Sequence, residues 1–345
     1  MNGIHGGDIY RNKVNMDFSV NINPLGMPDT VEHVLRSAVE RCSEYPDIEA
    51  AGLKTAVSNM LNIPKDYLVF GNGASEIFMG IVHALRPAKT VITVPSFYGY
   101  KYATQAVESD IVYFPLKEKN EFLPDEELLE ALTEDIDIVW LANPNNPTGK
   151  MVSKEYLKKL FNVCREKQIY VVLDECFIEF CGSEYSMLSD IEMYENVLIV
   201  RAFTKIYAIP GVRLGYLVCS NKILTDKIRM QLPEWNISTF AQEAGAACIM
   251  QNEYVARTVG YVKKEREFLT DGLKKLGVHV YDSDTDFVLI YSEKPLYDML
   301  LRRSILIRDC SNYEGLSEGF YRIAVKCHKE NEQLLRVIGD CIEVE

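Results

Sequence analysis

The chain has 345 residues, 48% hydrophobic and 25% charged, ordinary globular usage that excludes a disordered or collagen-like polymer. Lys plus Arg number 37 against 50 Asp plus Glu, and the net charge of −13 argues against a sequence-independent nucleic-acid binder, which needs a basic stripe. No apolar run reaches the roughly 20 residues of a membrane helix, and the first residues lack the apolar stretch of a secretion signal. Nine scattered cysteines without a CxxC, and five well-separated histidines, predict reduced thiols in a cytoplasmic protein and no zinc site.

Residues 1–28, rich in Asn, Gly and Pro, read as an ordered arm lying against another part of the protein, because Phe18, Ile22 and Leu25 need cover. Strands are predicted at Tyr67–Phe70, Thr90–Val94, Ile111–Phe114, Ile136–Leu141, Tyr170–Leu173, Val197–Val200 and Leu214–Cys219. Helices are predicted between most of them, at Ser75–Leu85, Tyr98–Val107, Asp125–Leu132 and Ser153–Lys167. Continuous apolar strands alternating with helices imply an α/β fold, with a largely parallel sheet covered on both faces. From about Asn221 to Leu276 helical periodicity dominates, with a break near Pro233. Then follow strands near His279–Tyr281 and Phe287–Tyr291, a helix near Leu296–Arg303, strands near Leu306–Arg308 and Tyr321–Val325, and a last helix from about Lys329. The expected organisation is an arm (1–28), a large domain (29–235) and a smaller α+β domain (236–345).

In an open parallel sheet, ligands bind beyond the carboxyl ends of the strands. Five loops lie there. Gly71-Asn72-Gly73-Ala74-Ser75-Glu76 permits a tight turn and close backbone approach, and the helix start at Ser75 offers free N–H groups to a phosphate. A dinucleotide fingerprint is disfavoured, since Glu76 stands where its third glycine belongs. An ordinary strand–helix turn also explains the loop. Pro95-Ser96-Phe97-Tyr98-Gly99-Tyr100 offers aromatic faces to a flat ligand, or simply core packing. Asn143-Pro144-Asn145-Asn146-Pro147-Thr148-Gly149 places neutral donors and acceptors on a fixed backbone. Asp174 ends a buried strand, where a carboxylate calls for a cation or a helix to cap. Lys205 follows a strand in a mainly apolar stretch, where desolvation makes an amine nucleophilic, and Arg213 eight residues on can anchor an anion; a salt-bridged surface lysine is the plain alternative.

These loops, in this order, resemble the class I/II aminotransferase family of fold-type I pyridoxal-phosphate enzymes. The specific elements are Asn145-Asn146-Pro147-Thr148-Gly149 and the segment from Thr204-Lys205 through Pro210-Gly211 and Arg213 to Gly215-Tyr216. Within the family the likeness is first to the threonine-phosphate decarboxylase branch, to which residues 5–11, 18–26 and 207–211 point, and then to the histidinol-phosphate aminotransferase branch. The resemblance implies an aldimine at Lys205, a pairing of Asp174 with the pyridine nitrogen, Asn146 on the ring's O3′ and Phe97 on its face. It implies a phosphate cradle from Gly73, Ala74, Ser75, Thr204 and Arg213, and Arg322 on the substrate carboxylate. His5, Asn23, Lys326 and His328 complete the candidate substrate contacts. Tyr45 would reach the cofactor phosphate of a neighbouring subunit, which implies a homodimer with sites at its interface. The expected activity is decarboxylation of a small phosphorylated amino acid; amino transfer of the histidinol-phosphate type and a non-catalytic binding module are the alternatives. Three departures stand out. Phe177 replaces a tyrosine that donates to O3′, Ala202 replaces a phosphate-binding hydroxyl, and Lys326 and His328 stand where relatives carry two arginines. Lysine cannot reproduce an arginine fork.

Overall fold

The computed structural model describes residues 5–343. In chain order its elements are β1 (Met16–Asp17), α1 (Asp29–Ala38), α2 (Ala51–Leu61), β2 (Leu68–Gly71), α3 (Ala74–Leu85), β3 (Lys89–Val94), α4 (Tyr98–Gln105), β4 (Asp110–Pro115), α5 (Glu126–Ala131) and β5 (Ile138–Ala142). Next come α6 (Lys154–Glu166), β6 (Tyr170–Asp174), β7 (Val197–Ala202), β8 (Gly215–Val218), α7 (Lys222–Arg229), α8 (Thr239–Ile249) and α9 (Asn252–Lys275). The chain closes with β9 (His279–Val280), β10 (Phe287–Tyr291), α10 (Leu296–Leu301), β11 (Ile305–Leu306), β12 (Arg308–Asp309), β13 (Phe320–Ala324) and α11 (His328–Glu343).

A seven-stranded sheet has the order β2-β8-β7-β6-β5-β3-β4. Strands β3 to β7 run parallel, and β8 is antiparallel to both its neighbours. The Val/Ile/Leu runs of β5, β6 and β7 are buried along their length, as a sheet covered on both faces requires. One face packs under α3 and α7 around Phe78 and Trp140, the other under α6 and α8 around Phe161 and Leu173. Register places Ala142 beside Asp174, and Asp174 beside Val200, so three carboxyl ends meet at one rim. The order in which successive strands are added reverses at β3, which lies between β5 and β4, the kind of switch point where ligands bind.

A four-stranded antiparallel sheet, β12-β13-β10-β9, carries its own core with α10, α11 and the end of α9. Helix α9 has 24 residues, about 36 Å at 1.5 Å per residue. It is long enough to contribute Val262 to the large core and Leu273 to the small one. The arm is pinned on the small side. β1 pairs with β11, and Phe18 is fully buried there, worth about 2 kcal/mol of apolar burial.

The structure corrects the sequence reading in places. α1 and α2 were not anticipated; they pack on α8 and bury Val31, Leu53 and Val57. Helix α8 buries Ala241, Ala244 and Cys248 in the large core, so a boundary at 235 would sever it from the residues it covers. The strand expected at Leu306–Arg308 is two short pieces, because the chain leaves the arm's β1 at Leu306 and joins β13 at Arg308.

Candidate active site

A cleft opens at the rim where β5, β6 and β7 end, between the large sheet, the small sheet and the arm. Asp174 is the last residue of β6 and is buried. Its Oδ2 accepts a hydrogen bond from the Tyr100 hydroxyl at 2.6 Å, and its Oδ1 accepts from the Cys176 backbone N–H at 2.9 Å. Tyr100 is itself locked by stacking on Trp140, with centroids 5.2 Å apart and planes at 15°. Burial raises the Asp174 carboxyl above its ordinary range, while these donors pull it down. A pyridinium nitrogen is the kind of cation that offsets such burial.

Lys205 lies three residues beyond β7 and opens into the same cleft. Desolvation pushes its amine below the usual lysine range; Asp286 pulls it up and the Arg322 guanidinium pushes it down. Its Nζ stands 5.8 Å from the Phe177 ring centroid, the position where a tyrosine would have brought a hydroxyl.

The phosphate-sized corner lies at the start of α3. Its first-turn N–H groups have no acceptor within the helix. Ala74, Ser75, Thr204 and Arg213 line the cleft here. Gly73 has φ of 78°, and a Cβ on it would lie 2.4 Å from an Arg213 guanidinium nitrogen, so glycine is what lets Arg213 close over the helix end. A Cβ on Gly215 would come within 2.7 Å of the Ala74 nitrogen, which brings β8 equally close. This cradle fits the phosphate, and Asp174 and Lys205 fit the two ends of the ring, of pyridoxal phosphate.

On the opposite wall stands Arg322 of β13. Its guanidinium donates to the Asn146 carboxamide oxygen and, at 2.7 Å, to the Ser19 carbonyl of the arm, and lies 5.3 Å from the Phe287 ring centroid. Asn146 and Arg322, expected to hold different ligand groups, thus hold each other. Arg322 pairs directly with Arg308 across the strands β12 and β13. Like charges placed opposite destabilise a sheet unless something anionic lies between or beside them. Arg308 donates to Asn312 at 2.8 Å and to the Asp309 carbonyl, and faces the Tyr313 ring. His5 lines the cleft near Phe97, at 5.8 Å between centroids, and its pKa is lowered by burial and by the Arg308 and Arg322 charges.

Three expected contacts are not brought to the cleft. Asn23 is buried, donating to the Ile206 carbonyl at 2.6 Å and the Thr258 hydroxyl at 2.8 Å and accepting from the Leu25 N–H, so it ties the arm to the Lys205 loop. His328 starts α11 with Nδ1 3.1 Å from Glu265 and its ring 4.4 Å from that of Phe268. Lys326 lies past the end of β13, outside the cleft lining. Tyr45 is 84% exposed and lies against Trp235, with the ring planes tilted at 44°, away from this chain's own cleft. Sequence reasoning missed Tyr100, Asn21 and Arg308. Asn21 lines the cleft with a buried Oδ1 that has no partner among the described residues. Tyr100 lay in a quoted aromatic loop, and its spacing of three from Phe97 was the available signal.

The described helices include none long and apolar enough to cross a membrane. Residues 13–339 match the family model for aminotransferase class I and II. The chain is 32% identical to threonine-phosphate decarboxylase of Salmonella typhimurium (strain LT2), over 99% of its own length and 97% of that protein. The solved histidinol-phosphate aminotransferase from Clostridium acetobutylicum superposes with a TM-score of 0.89 at 34% identity, covering 95% of this chain and 99% of that one. The L-threonine-O-3-phosphate decarboxylase from Porphyromonas gingivalis gives 0.85 at 26% identity, covering 94% and 99%. The chain belongs to the class I and II aminotransferase family, a family of pyridoxal-phosphate-dependent enzymes, and has their fold-type I architecture.

Proposed function

We propose that the protein binds pyridoxal phosphate and decarboxylates a small phosphorylated amino acid, O-phosphothreonine being the expected substrate. The observation that carries this is the cross-strand pair Arg308 and Arg322, with His5 beside it, on the wall facing the cofactor cradle. Arg213 already serves the cradle. The second set of cations suits a substrate with two anionic groups, a carboxylate and a phosphate. Histidinol phosphate has no carboxylate. The likeness to the Salmonella decarboxylase supports the same reading.

Bound pyridoxal phosphate supplies an electron sink conjugated to the substrate amine. The chain's residues do the rest. Lys205 would hold the cofactor and would move a proton at the substrate Cα. Asp174, set by Tyr100, keeps the ring nitrogen protonated. Asn146 serves O3′, Phe97 covers the ring, and Gly73, Ala74, Ser75, Thr204 and Arg213 hold the phosphate. Arg322 grips the carboxylate and thereby sets which bond at Cα breaks. Arg308 and His5 take the substrate phosphate. Tyr45, exposed beside Trp235, supports a homodimer in which it reaches the partner's cradle, and the likeness to the Salmonella decarboxylase supports a cytoplasmic protein.

Amino transfer is the second reading, favoured by the 34% identity to the Clostridium aminotransferase. One assay separates the two. Holoenzyme is given O-phosphothreonine, O-phosphoserine or histidinol phosphate, with and without an oxo acid, and CO₂ and new oxo acid are scored separately. CO₂ from phosphothreonine without an oxo acid is expected, with loss of about 10⁴-fold in Lys205→Ala. Oxo-acid product and no CO₂ reverses the order. A preparation that stays colourless with added cofactor favours the binding module.

A further inference from the structure

Asp286, immediately before β10, is fully buried. Its Oδ1 accepts from the Thr285 hydroxyl at 3.2 Å, whereas its Oδ2 is buried with no hydrogen-bond partner among the described residues. An orphaned carboxylate oxygen is costly, and a native fold keeps one only against a nearby cation or with a proton on it. Both options exist here. The next residue, Phe287, packs edge-on against Phe177 at 5.2 Å and lies 5.3 Å from the Arg322 guanidinium, while Phe177 in turn faces the Lys205 amine. Asp286 is not part of the cleft lining, but it adjoins a residue that packs on the wall, and the Lys205 and Arg322 charges act on it.

Lys205 and Arg322 are the cations acting on Asp286. Arg266 of α9, which donates to the Thr285 carbonyl at 2.7 Å, also interacts with Asp286; the Asp284 carboxyl and the Cys181 thiol interact with Arg266, and Cys176 with Lys205. Burial pushes Asp286 up to about 6 against the pull of Lys205, and pushes Lys205 down against the pull of Asp286. The two groups are thus driven toward each other's range.

We infer that Asp286 is a positioning residue for Lys205, a buried counter-charge that keeps a proton on the lysine amine for delivery to the substrate. This rests on the decarboxylase reading. Loss of CO₂ breaks the bond between Cα and the carboxyl carbon. The electron pair left behind must form a new C–H bond, and the Lys205 ammonium supplies that proton and becomes neutral. The pair regains one proton from water per turnover, which balances the reaction. Amino transfer relocates the proton already on Cα and draws none from a store.

The test has two arms. In the cofactor-loaded protein, Asp286→Asn removes the anion that favours positive charge on the Lys205 nitrogen. The midpoint of the visible absorbance against pH therefore falls by about one unit. In the cofactor-free protein, denaturant unfolding is followed from about pH 4 to about pH 8. A raised carboxyl binds its proton more tightly folded than unfolded. Wild type accordingly loses stability as pH rises from 3.8 through about 6. Asp286→Asn abolishes that fall, and Lys205→Ala extends it to higher pH because the cation favouring the ionised form is gone. Unmoved midpoints in both arms overturn the coupling. If Asp286→Asn does not fold, the comparison of wild type with Lys205→Ala decides alone. Shifts without CO₂ from any substrate overturn proton supply together with the decarboxylase reading. CO₂ without shifts overturns the role of Asp286 and leaves that reading standing.

Discussion

On the large-sheet wall of the cleft, Asp174 has two protein donors and Arg213 closes over a helix start shaped by Gly73. On the small-sheet wall, Arg308 and Arg322 stand opposite each other on neighbouring strands, and Asn21 and Arg322 keep buried polar atoms without partners among the described residues. The Asp174 carboxylate of the first wall is settled by contacts within the protein, as suits a resident group. The second keeps the Arg322 Nε and the Asn21 Oδ1 buried without a partner among the described residues, as suits a ligand that comes and goes. The two walls meet where Arg322 donates to Asn146.

The sharpest way to break this contrast is Arg308→Ala. It removes charge-assisted bonds from the substrate phosphate, so kcat/KM falls about 100-fold for the phosphorylated substrate. The visible absorbance of bound cofactor is expected to hold. An equal loss with an unphosphorylated analogue, or loss of the absorbance, shows that the small-sheet wall serves the cofactor instead. Tyr100→Phe probes the other wall. It deletes one bond to a charged carboxylate, about 1.5 kcal/mol, and weakens cofactor retention about tenfold. Equilibrium dialysis checks this, and unchanged retention refutes a settled wall. The smallest effect is a slope. His5 has a lowered pKa, so the unfolded chain takes up its proton first, and stability falls as pH drops below 6.5. Adding phosphate or substituting His5→Gln should flatten that slope in thermal unfolding; no change places His5 outside the field of the arginines.

The same contrast explains what could be read before the fold was known. Residues of the large-sheet wall fall in short contiguous segments at strand ends, where Gly73, Asn146, Asp174, Lys205 and Arg213 each sit in a local pattern with a physical rationale. The small-sheet wall is made by register. Arg308 acquires meaning only when it lies opposite Arg322, and Asp286 only when β10 brings it behind Lys205. No spacing along the chain carries that information. Asn23, Lys326 and His328 stand near motifs in sequence but outside the cleft lining: hydrogen bonds hold the side chains of Asn23 and His328 elsewhere, and Lys326 follows the end of β13. The strands were legible because their apolar runs are continuous. α1 and α2 were not, since they cover the large core from outside the strand–helix alternation that organised the reading.

Arg322 joins a carbonyl near the beginning of the chain, at Ser19, to a side chain near its middle, at Asn146, from a strand close to its end. A polypeptide emerging from a ribosome can therefore complete its main sheet and close the cradle at α3 long before the mouth of the cleft exists. The substrate-facing wall is then the last part of the cleft to be assembled, since Arg322 meets Ser19 and Asn146 only once β13 has docked.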